Sequence, residues 1–335
     1  MGWRRHASRS RTSHAIVILG AVIANRNPFI YLNNMGKVMT SGGFIAWAAL
    51  VAAAAAAMFP IGSEAHAQAS PWVANERGSV RLVSAVSGTG RDRALELGLE
   101  FRLKPGWKTY WRVPGESGMP PRLDWDGSTN VAGATVTWPG PARFTIAGMQ
   151  SYGYEGHVIL PIRIGLAEPG KAASLRLQLR YAICREVCVP EEARLALDLP
   201  AGPAGAGAHA RAIAHFAARA PQPGENLGWK VEQAGLAVVK SGADRRLELV
   251  VEIVSRNGPF RAPELVAEGN ERQTFGLSAA QLGKDRRRVR FVLPYRHAGE
   301  RPLGDKADEA GEISLTLLDG ARRGTFVVRV GGPHH

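Results

Sequence analysis

Cysteine is almost missing from this chain: Cys184 and Cys188 are the only two among 335 residues. Also missing are a Ser-His-Asp order, a paired-carboxylate motif, a glycine-rich phosphate loop and a zinc-spaced Cys/His cluster. The usual hydrolytic, phosphate-binding and zinc-dependent classes therefore have nothing to rest on, and no cofactor is expected. Helical periodicity is scarce, and neither a multi-span apolar segment nor a thioredoxin motif is found. What remains is a pair of thiols four positions apart in Leu179-Arg-Tyr-Ala-Ile-Cys-Arg-Glu-Val-Cys-Val-Pro-Glu-Glu192. A sequence that uses cysteine nowhere else and then sets two side by side points to thiol chemistry.

The compartment decides which chemistry, because a close pair reads as a metal or catalytic site in a reducing cytosol and as a disulfide in an oxidising one. Residues 43–59 form an apolar run containing six consecutive alanines, preceded by Lys37 and followed by Ala65-His-Ala67. That is the layout of a secretory signal, with cleavage expected after Ala67. The run is short for a bilayer span, which favours removal over anchoring. Residues 1–67 are thus read as a leader, with the true start expected at Met35 or Met39.

The formal charge of +13 falls to +8 once the leader is set aside, leaving 36 basic against 28 acidic side chains. This excess is spread out. Its densest run, Lys284-Asp-Arg-Arg-Arg-Val-Arg290, leads into a strand pattern and reads as a solvated edge, so nucleic acid is not an expected partner.

Composition shifts at Ala201-Gly-Pro-Ala-Gly-Ala-Gly-Ala208, a small-residue linker followed by a short helical pattern, Ala210–Ala220, that stops at Pro221. Residues 201–223 therefore divide a first domain, 71–200, from a second, 224–332. In the first, Val80–Val86, Ala94–Leu103, Trp107–Trp111, Thr135–Trp138, Val158–Ile164, Leu175–Tyr181 and Ala193–Leu199 alternate or run apolar between Gly, Pro, Asn and Asp. This texture predicts an all-β, immunoglobulin-like antiparallel sandwich. The second domain repeats it with Leu236–Val239, Leu247–Val254, Val289–Leu293, Ile313–Leu318 and Thr325–Val330, and is read as a smaller β-rich domain.

Cys184 follows one expected strand and Ala193 opens the next, so the pair belongs at a strand-to-strand bend. Pro190 and the β-branched Val187 and Val189 argue against a helix there. Across such a bend the Cα atoms can approach the ~5.5 Å that a disulfide prefers. Closing so short a loop removes little entropy from the unfolded chain, which weakens the case for a purely structural bond. Size and spacing favour a redox-active pair over a structural disulfide or a metal site.

Several motifs together carry a family resemblance: Tyr181-x-x-Cys184…Cys188-x-Pro190-x-Glu192, Gly106-Trp-Lys-Thr-Tyr110-Trp-Arg112, Pro114-Gly-Glu-Ser-Gly118 and Tyr152-Gly-Tyr-Glu-Gly-His-Val-Ile-Leu-Pro161. Over about residues 71–200 the chain resembles the N-terminal periplasmic domain of the DsbD-type disulfide reductases, including their ScsB-like branch. The resemblance implies a periplasmic sandwich that relays electrons by thiol–disulfide exchange. The expected donor is a thioredoxin-like domain or membrane electron-transfer protein, and the expected acceptors are periplasmic thiol oxidoreductases. It further implies that Cys188 forms the mixed disulfide, that Cys184 resolves it, and that Tyr110 lines the site together with Tyr181 and Pro190.

This sequence departs from the better-known members in its three-residue gap, Arg185-Glu186-Val187, where they have five. It also lacks a clear copy of their aromatic cap loop. Phe144–Gln150 occupies that stretch, making Phe144 or Met149 the candidate shield. Trp107, Trp111, Trp125 and Trp138 read as sandwich core. If Trp111 faces the core, Tyr110 falls on the outer face and is expected to be exposed beside the cysteines.

Two other classes compete. A Cys-x-x-x-Cys pair followed by proline is also similar to copper-binding assembly factors, and thiolates select Cu(I), with Met119, Met149 or His157 to complete the site. A non-catalytic binding module with a structural disulfide is the remaining reading. In that reading the loop Tyr295-Arg-His-Ala-Gly-Glu-Arg301 is a docking candidate.

Overall fold

The first domain is built on alternation. In β3 (Ala94–Leu103), Leu95, Leu97, Leu99, Phe101 and Leu103 enter the core while Glu96, Glu100 and Arg102 lie on the other face. The computed structural model describes residues 68–241, 244–297 and 311–330. The expected leader, the far end of the Tyr295–Arg301 loop and the terminal histidines lie outside the described residues.

The other strands of this domain are β1 (Val73–Ala74), β2 (Gly78–Ser84), β4 (Lys108–Gly115), β5 (Arg122–Asp124), β6 (Gly133–Val136), β7 (Ala142–Ile146), β8 (Met149–Glu155), β9 (His157–Gly165), β10 (Ala173–Cys184) and β11 (Cys188–Leu199). One sheet runs β1-β2-β3-β9-β6, and the other runs β11-β10-β4-β8-β7 with β5 beside β10. Pairing is antiparallel throughout. Between the sheets lie the inward residues of β10, Leu175, Leu177, Leu179, Tyr181 and Ile183, against those of β3. Each aliphatic side chain so buried contributes about 1.5–3 kcal/mol. Trp111 is fully buried in this core, whereas Trp107, Trp125 and Trp138 are half-buried against it.

The β7–β8 hairpin is absent from the sequence reading. Its residues Ala-Arg-Phe-Thr-Ile and Met-Gln-Ser-Tyr-Gly-Tyr-Glu show little apolar alternation, and its two-residue turn hides an alanine where Asn or Gly is usual. Ala147 and Gly148 both have positive φ, 49° and 81°, the signs a two-residue hairpin turn demands.

The expected linker is tied down along its length. Ser87, Thr89 and Gly90 donate from their backbone N–H groups to Gly205, Pro200 and Gly202 at 2.8–3.0 Å, and Gly207 donates to Ala85 at 2.7 Å. It leads into α1 (Ala210–Ala217), shorter than the expected 210–220, whose buried Ile213 closes over Gly98 on the outer face of β3. A Cβ at Gly98 would lie 2.5 Å from Ile159 and 3.1 Å from Ile213, so only glycine lets the helix close there.

The second sandwich contains β12 (Gln222–Pro223), β13 (Trp229–Ser241), β14 (Asp244–Ser255), β15 (Glu264–Glu268), β16 (Gln273–Phe275), β17 (Ala279–Leu282), β18 (Arg288–His297), β19 (Gly311–Asp319) and β20 (Arg322–Val330). Its sheets run β12-β20-β19-β15 and β13-β14-β18-β16, with β17 also on β18. Trp229, Phe260 and Phe291 fill its core. The basic run ends in ion pairs along a strand edge, Arg288 with Glu232 and Glu252 and Arg290 with Glu252. Val266 and Leu318 of this sandwich join the apolar core of the first. The expected all-β, immunoglobulin-like architecture is what the chain adopts.

One charged group on the first sandwich gives a stability test. The Glu100 side chain is 4% exposed and pairs with Arg81 (2.7 Å), Arg102 (3.2 Å) and His157 (3.0 Å). Burial raises its pKa, but Arg81, Arg102 and His157 together outweigh burial and hold the carboxyl below its ordinary value. A depressed carboxylate pKa means stability that is complete above the ordinary carboxylate range and is lost as pH falls through the depressed value. Glu100→Gln should therefore lower unfolding free energy by about 2 kcal/mol near neutral pH. In urea titrations the gap from the parent protein should close as pH falls through the depressed carboxylate pKa.

Candidate functional site

β10 and β11 pair without interruption from Ala173↔Leu199 to Cys184↔Cys188, so the two cysteines face one another at the closed end of a long hairpin. They are joined by a disulfide with Cα atoms 4.1 Å apart. That is nearer the narrow ~4.5 Å pair of an antiparallel ladder than the ~5.5 Å expected from sequence. The gap Arg185-Glu186-Val187 forms a tight loop in which the Arg185 N–H donates to the Val187 carbonyl at 3.2 Å. All three loop residues are exposed.

The two sulfur-bearing residues differ sharply in access. Cys184 is fully buried, whereas Cys188 is exposed and stands beside Val187, an apolar side chain 67% exposed. The cause is sheet geometry: Cys184 shares a face of the sheet with Ala182 and Tyr110, and a second small apolar cluster covers that face. Tyr110, Ile146, Ala182 and Cys184 form it, with Met119 and Phe144 packed against them.

Tyr110 lies opposite Trp111 as expected, but it is fully buried rather than exposed. The β7–β8 hairpin and the Gly115–Met119 segment cover it. Gly118 is central to this cover: with φ +134°, it lies so close that a Cβ would be 2.4 Å from the Tyr110 ring. The phenol oxygen is 2.9 Å from Cys188 Sγ and 3.2 Å from Cys184 Sγ. A disulfide has no S–H, so the hydroxyl is the donor. Burial raises the Tyr110 pKa, with hydrogen bonding to Ser151 and Ser117 acting the other way. The group consequently stays protonated, and a donor, throughout the neutral range.

Of the two candidate shields, Phe144 is the one brought to the site, its ring 6.1 Å from that of Tyr110. Gly153, paired with Tyr110, leaves room for it, since a Cβ there would lie 3.0 Å from Phe144. Met149 is 39% exposed at the turn and outside the cluster. Ile146 was missed by sequence reasoning, although it lies two residues from Phe144 on the same strand face. Lys108 was missed too. It is the register partner of Cys184, is held by the Gly106 carbonyl at 3.1 Å, and lies 5.9 Å from the Phe144 ring centre. Its position two residues before Tyr110 was the available signal. Its ammonium is also paired with Glu155 at 3.6 Å, which offsets the pull it could exert on a thiolate.

Pro190 is exposed on the face of Cys188 and opposite Ala182. The expectation that Tyr181 lines the cysteines needs correction. An odd separation from Cys184 turns it to the other face of β10, where it packs edge-on against Phe101 at 5.4 Å. Burial, and secondarily the charge of Glu191, pushes its hydroxyl up to about 12. His157, considered as a copper ligand, is engaged with Glu100 instead. Among the described residues no group of three or more His, Cys, Asp or Glu is placed to hold a metal ion.

The arrangement offers an exposed cysteine for attack, a buried cysteine as internal partner, and a neutral donor touching both sulfurs. In the reduced state the phenol stabilises a Cys188 thiolate more than a thiol. Tyr110→Phe, in a Cys184→Ala background, should raise the Cys188 pKa by about one unit, tenfold in thiolate fraction. The pH dependence of alkylation measures this, and an unchanged midpoint would show that the phenol does not act on the thiolate.

Residues 82–200 match the family described as the N-terminal domain of thiol:disulfide interchange protein DsbD. Among solved structures, the chain is similar to the N-terminal periplasmic domain of ScsB from Proteus mirabilis, at 22% identity and a TM-score of 0.61. That match covers 79% of this chain and 99% of the other, so the likeness in fold extends past residue 200 into the second sandwich. The C-terminal domain of the Streptococcus agalactiae AgI/II polypeptide BspA also aligns, at 6% identity over 74% of this chain and 96% of that one. Its TM-score of 0.14 is too low to carry an argument. No curated protein sequence matches the chain. The cysteine hairpin, its tyrosine and the family match agree: residues 82–200 are a domain of the DsbD N-terminal type.

Proposed function

We propose that the chain is a periplasmic thiol–disulfide interchange module that passes electron pairs through Cys184 and Cys188. The observation that carries this reading is the asymmetry of the pair, one cysteine an exposed residue beside the hairpin loop and the other fully buried against Tyr110. A structural disulfide has no need of an exposed sulfur. A relay needs one sulfur that a partner can reach and a second that no other thiol can.

In the loading half-reaction a thiolate of a thioredoxin-like donor, or of a membrane electron-transfer protein, attacks Cys188 Sγ. The Cys184–Cys188 bond breaks, and the Cys184 sulfur leaves as a thiolate that the Tyr110 hydroxyl stabilises. The donor's second thiol then attacks its own mixed-disulfide sulfur, so the donor ends oxidised and the module ends as a dithiol. In the unloading half-reaction the Cys188 thiolate attacks an oxidised periplasmic acceptor. Cys184 then attacks Cys188 Sγ, re-forms the internal disulfide and releases the reduced acceptor. Each turn moves two electrons, and protons are exchanged with solvent at Cys188. The cover over Cys184 limits unproductive reaction with oxidants, while the exposed Val187 and Pro190 neighbour Cys188 where a partner would approach.

Removing the resolving thiol tests these roles. Reduced Cys184→Ala should accumulate a mixed disulfide with an oxidised thioredoxin-like acceptor, visible as a reducible adduct on a gel, and Cys188→Ala should not. Adduct formed by Cys188→Ala alone would reverse the assignment. Adduct from neither, with a pair reducible only after denaturation, would turn the bond into a structural one.

A further inference from the structure

The strands that frame the cysteines have a second face, and it meets the second sandwich. Phe144 and Ser151 turn toward Tyr110, so their neighbours Arg143 and Tyr152 turn away. These two are register partners across the β7–β8 hairpin, and both reach one carboxylate of β15. Arg143 Nε lies 3.4 Å from Glu264 Oε1, and the Tyr152 hydroxyl donates to Glu264 Oε2 at 3.4 Å. The root of the hairpin is held as well, because the Arg323 side chain from β20 lies across Gly140, where any Cβ would sit 1.7 Å from its Cδ. On β4, Arg112 donates to Glu268 at 2.9 Å. β7 is the last strand of its sheet and pairs with β8 alone. Within the first sandwich the hairpin is tied through β8, which pairs with β4 at Lys108–Tyr110 and again at Gly115, so the β7 side is the part with least support.

We infer that the second sandwich acts as a brace that keeps the β7–β8 hairpin closed over Cys184, with Glu264 as the positioning residue that grips both hairpin strands. The cysteine-free domain thereby sets how often the resolving sulfur becomes accessible, without touching either cysteine. This deepens the relay reading and rests on it for its biological meaning, but the brace itself can be tested without any exchange partner. Tyr152 is buried at this junction and Glu264 half-buried, whereas Arg143 is exposed, so the Tyr152 hydroxyl is the group that depends most on the carboxylate. Loss of Glu264 leaves Arg143 and the Tyr152 hydroxyl facing the domain junction without their acceptor, which favours states in which the hairpin swings out to water.

The test uses the full chain carrying Cys188→Ala, so that Cys184 is the only thiol, and follows its modification by a bulky maleimide. Glu264→Ala should raise the modification rate roughly three- to tenfold, the range expected from losing one to two partly exposed polar contacts. Glu264→Gln, which still accepts from Tyr152, should fall between that variant and the parent. Glu100→Gln, which weakens the first sandwich on a face away from the hairpin, controls for general destabilisation. An unchanged rate in Glu264→Ala, or an equal rise in Glu100→Gln, would overturn the brace. Because the readout is alkylation, failure of the relay reading would appear separately, as a lack of trapped partner.

Discussion

Full-length pairing of β10 with β11 is the constraint on which the rest of the site depends. Because the ladder runs in register to its last residues, the two cysteines end opposite one another, and the three residues between them are compelled into a tight loop. The pleat then distributes the neighbours of Cys184. Tyr181 and Ile183 go into the main core and stiffen the hairpin, while Ala182 and Cys184 go to the opposite face. A one-residue slip in this ladder would exchange those faces and place Cys184 in the main core. The long apolar alternation of Leu175, Leu177 and Leu179 against β3 makes such a slip costly, so the packing of the sandwich fixes the chemistry at its tip.

Burial of Cys184, while Cys188 remains an exposed residue, follows from a second layer laid on this face. Tyr110 comes from β4, Phe144 and Ile146 from β7, and Gly118 from the segment after β4. None is polar enough to activate a thiol strongly. The phenol is a neutral donor kept neutral by its own burial, and the nearest cation by register is Lys108. A site with this modest activation suits exchange that waits for a docked partner, since a thiol of ordinary reactivity discriminates by contact rather than by intrinsic rate.

Much of this was legible from residues alone. The strand Ala94–Leu103 was read to the residue because its alternation is strict, and the cysteine pair stood out because nothing else in the chain competes with it. The cap was not legible in the same way. Its strands set Arg143 on the face turned to the neighbouring domain and Ser151 and Gly153 on the face turned to Tyr110, so the usual contrast between an apolar core face and a polar solvent face is blurred, and its turn uses Ala147 in a conformation that alanine seldom adopts. Tyr181 was misplaced for a simpler reason. The family motif carries Tyr181 along with Cys184, but an odd separation on a strand puts their side chains on opposite faces. The role of the second sandwich was also out of reach, because Glu264 meets Arg143 and Tyr152 only once both domains have folded.

Whether the pair is an exchange site or a staple is decided most directly by its equilibrium reduction potential. Measured on the native protein against a glutathione or dithiol buffer, a relay must lie between its donor and its acceptor, above about −300 mV. A potential well below that value, or a bond that exchanges with the buffer only after unfolding, would contradict it.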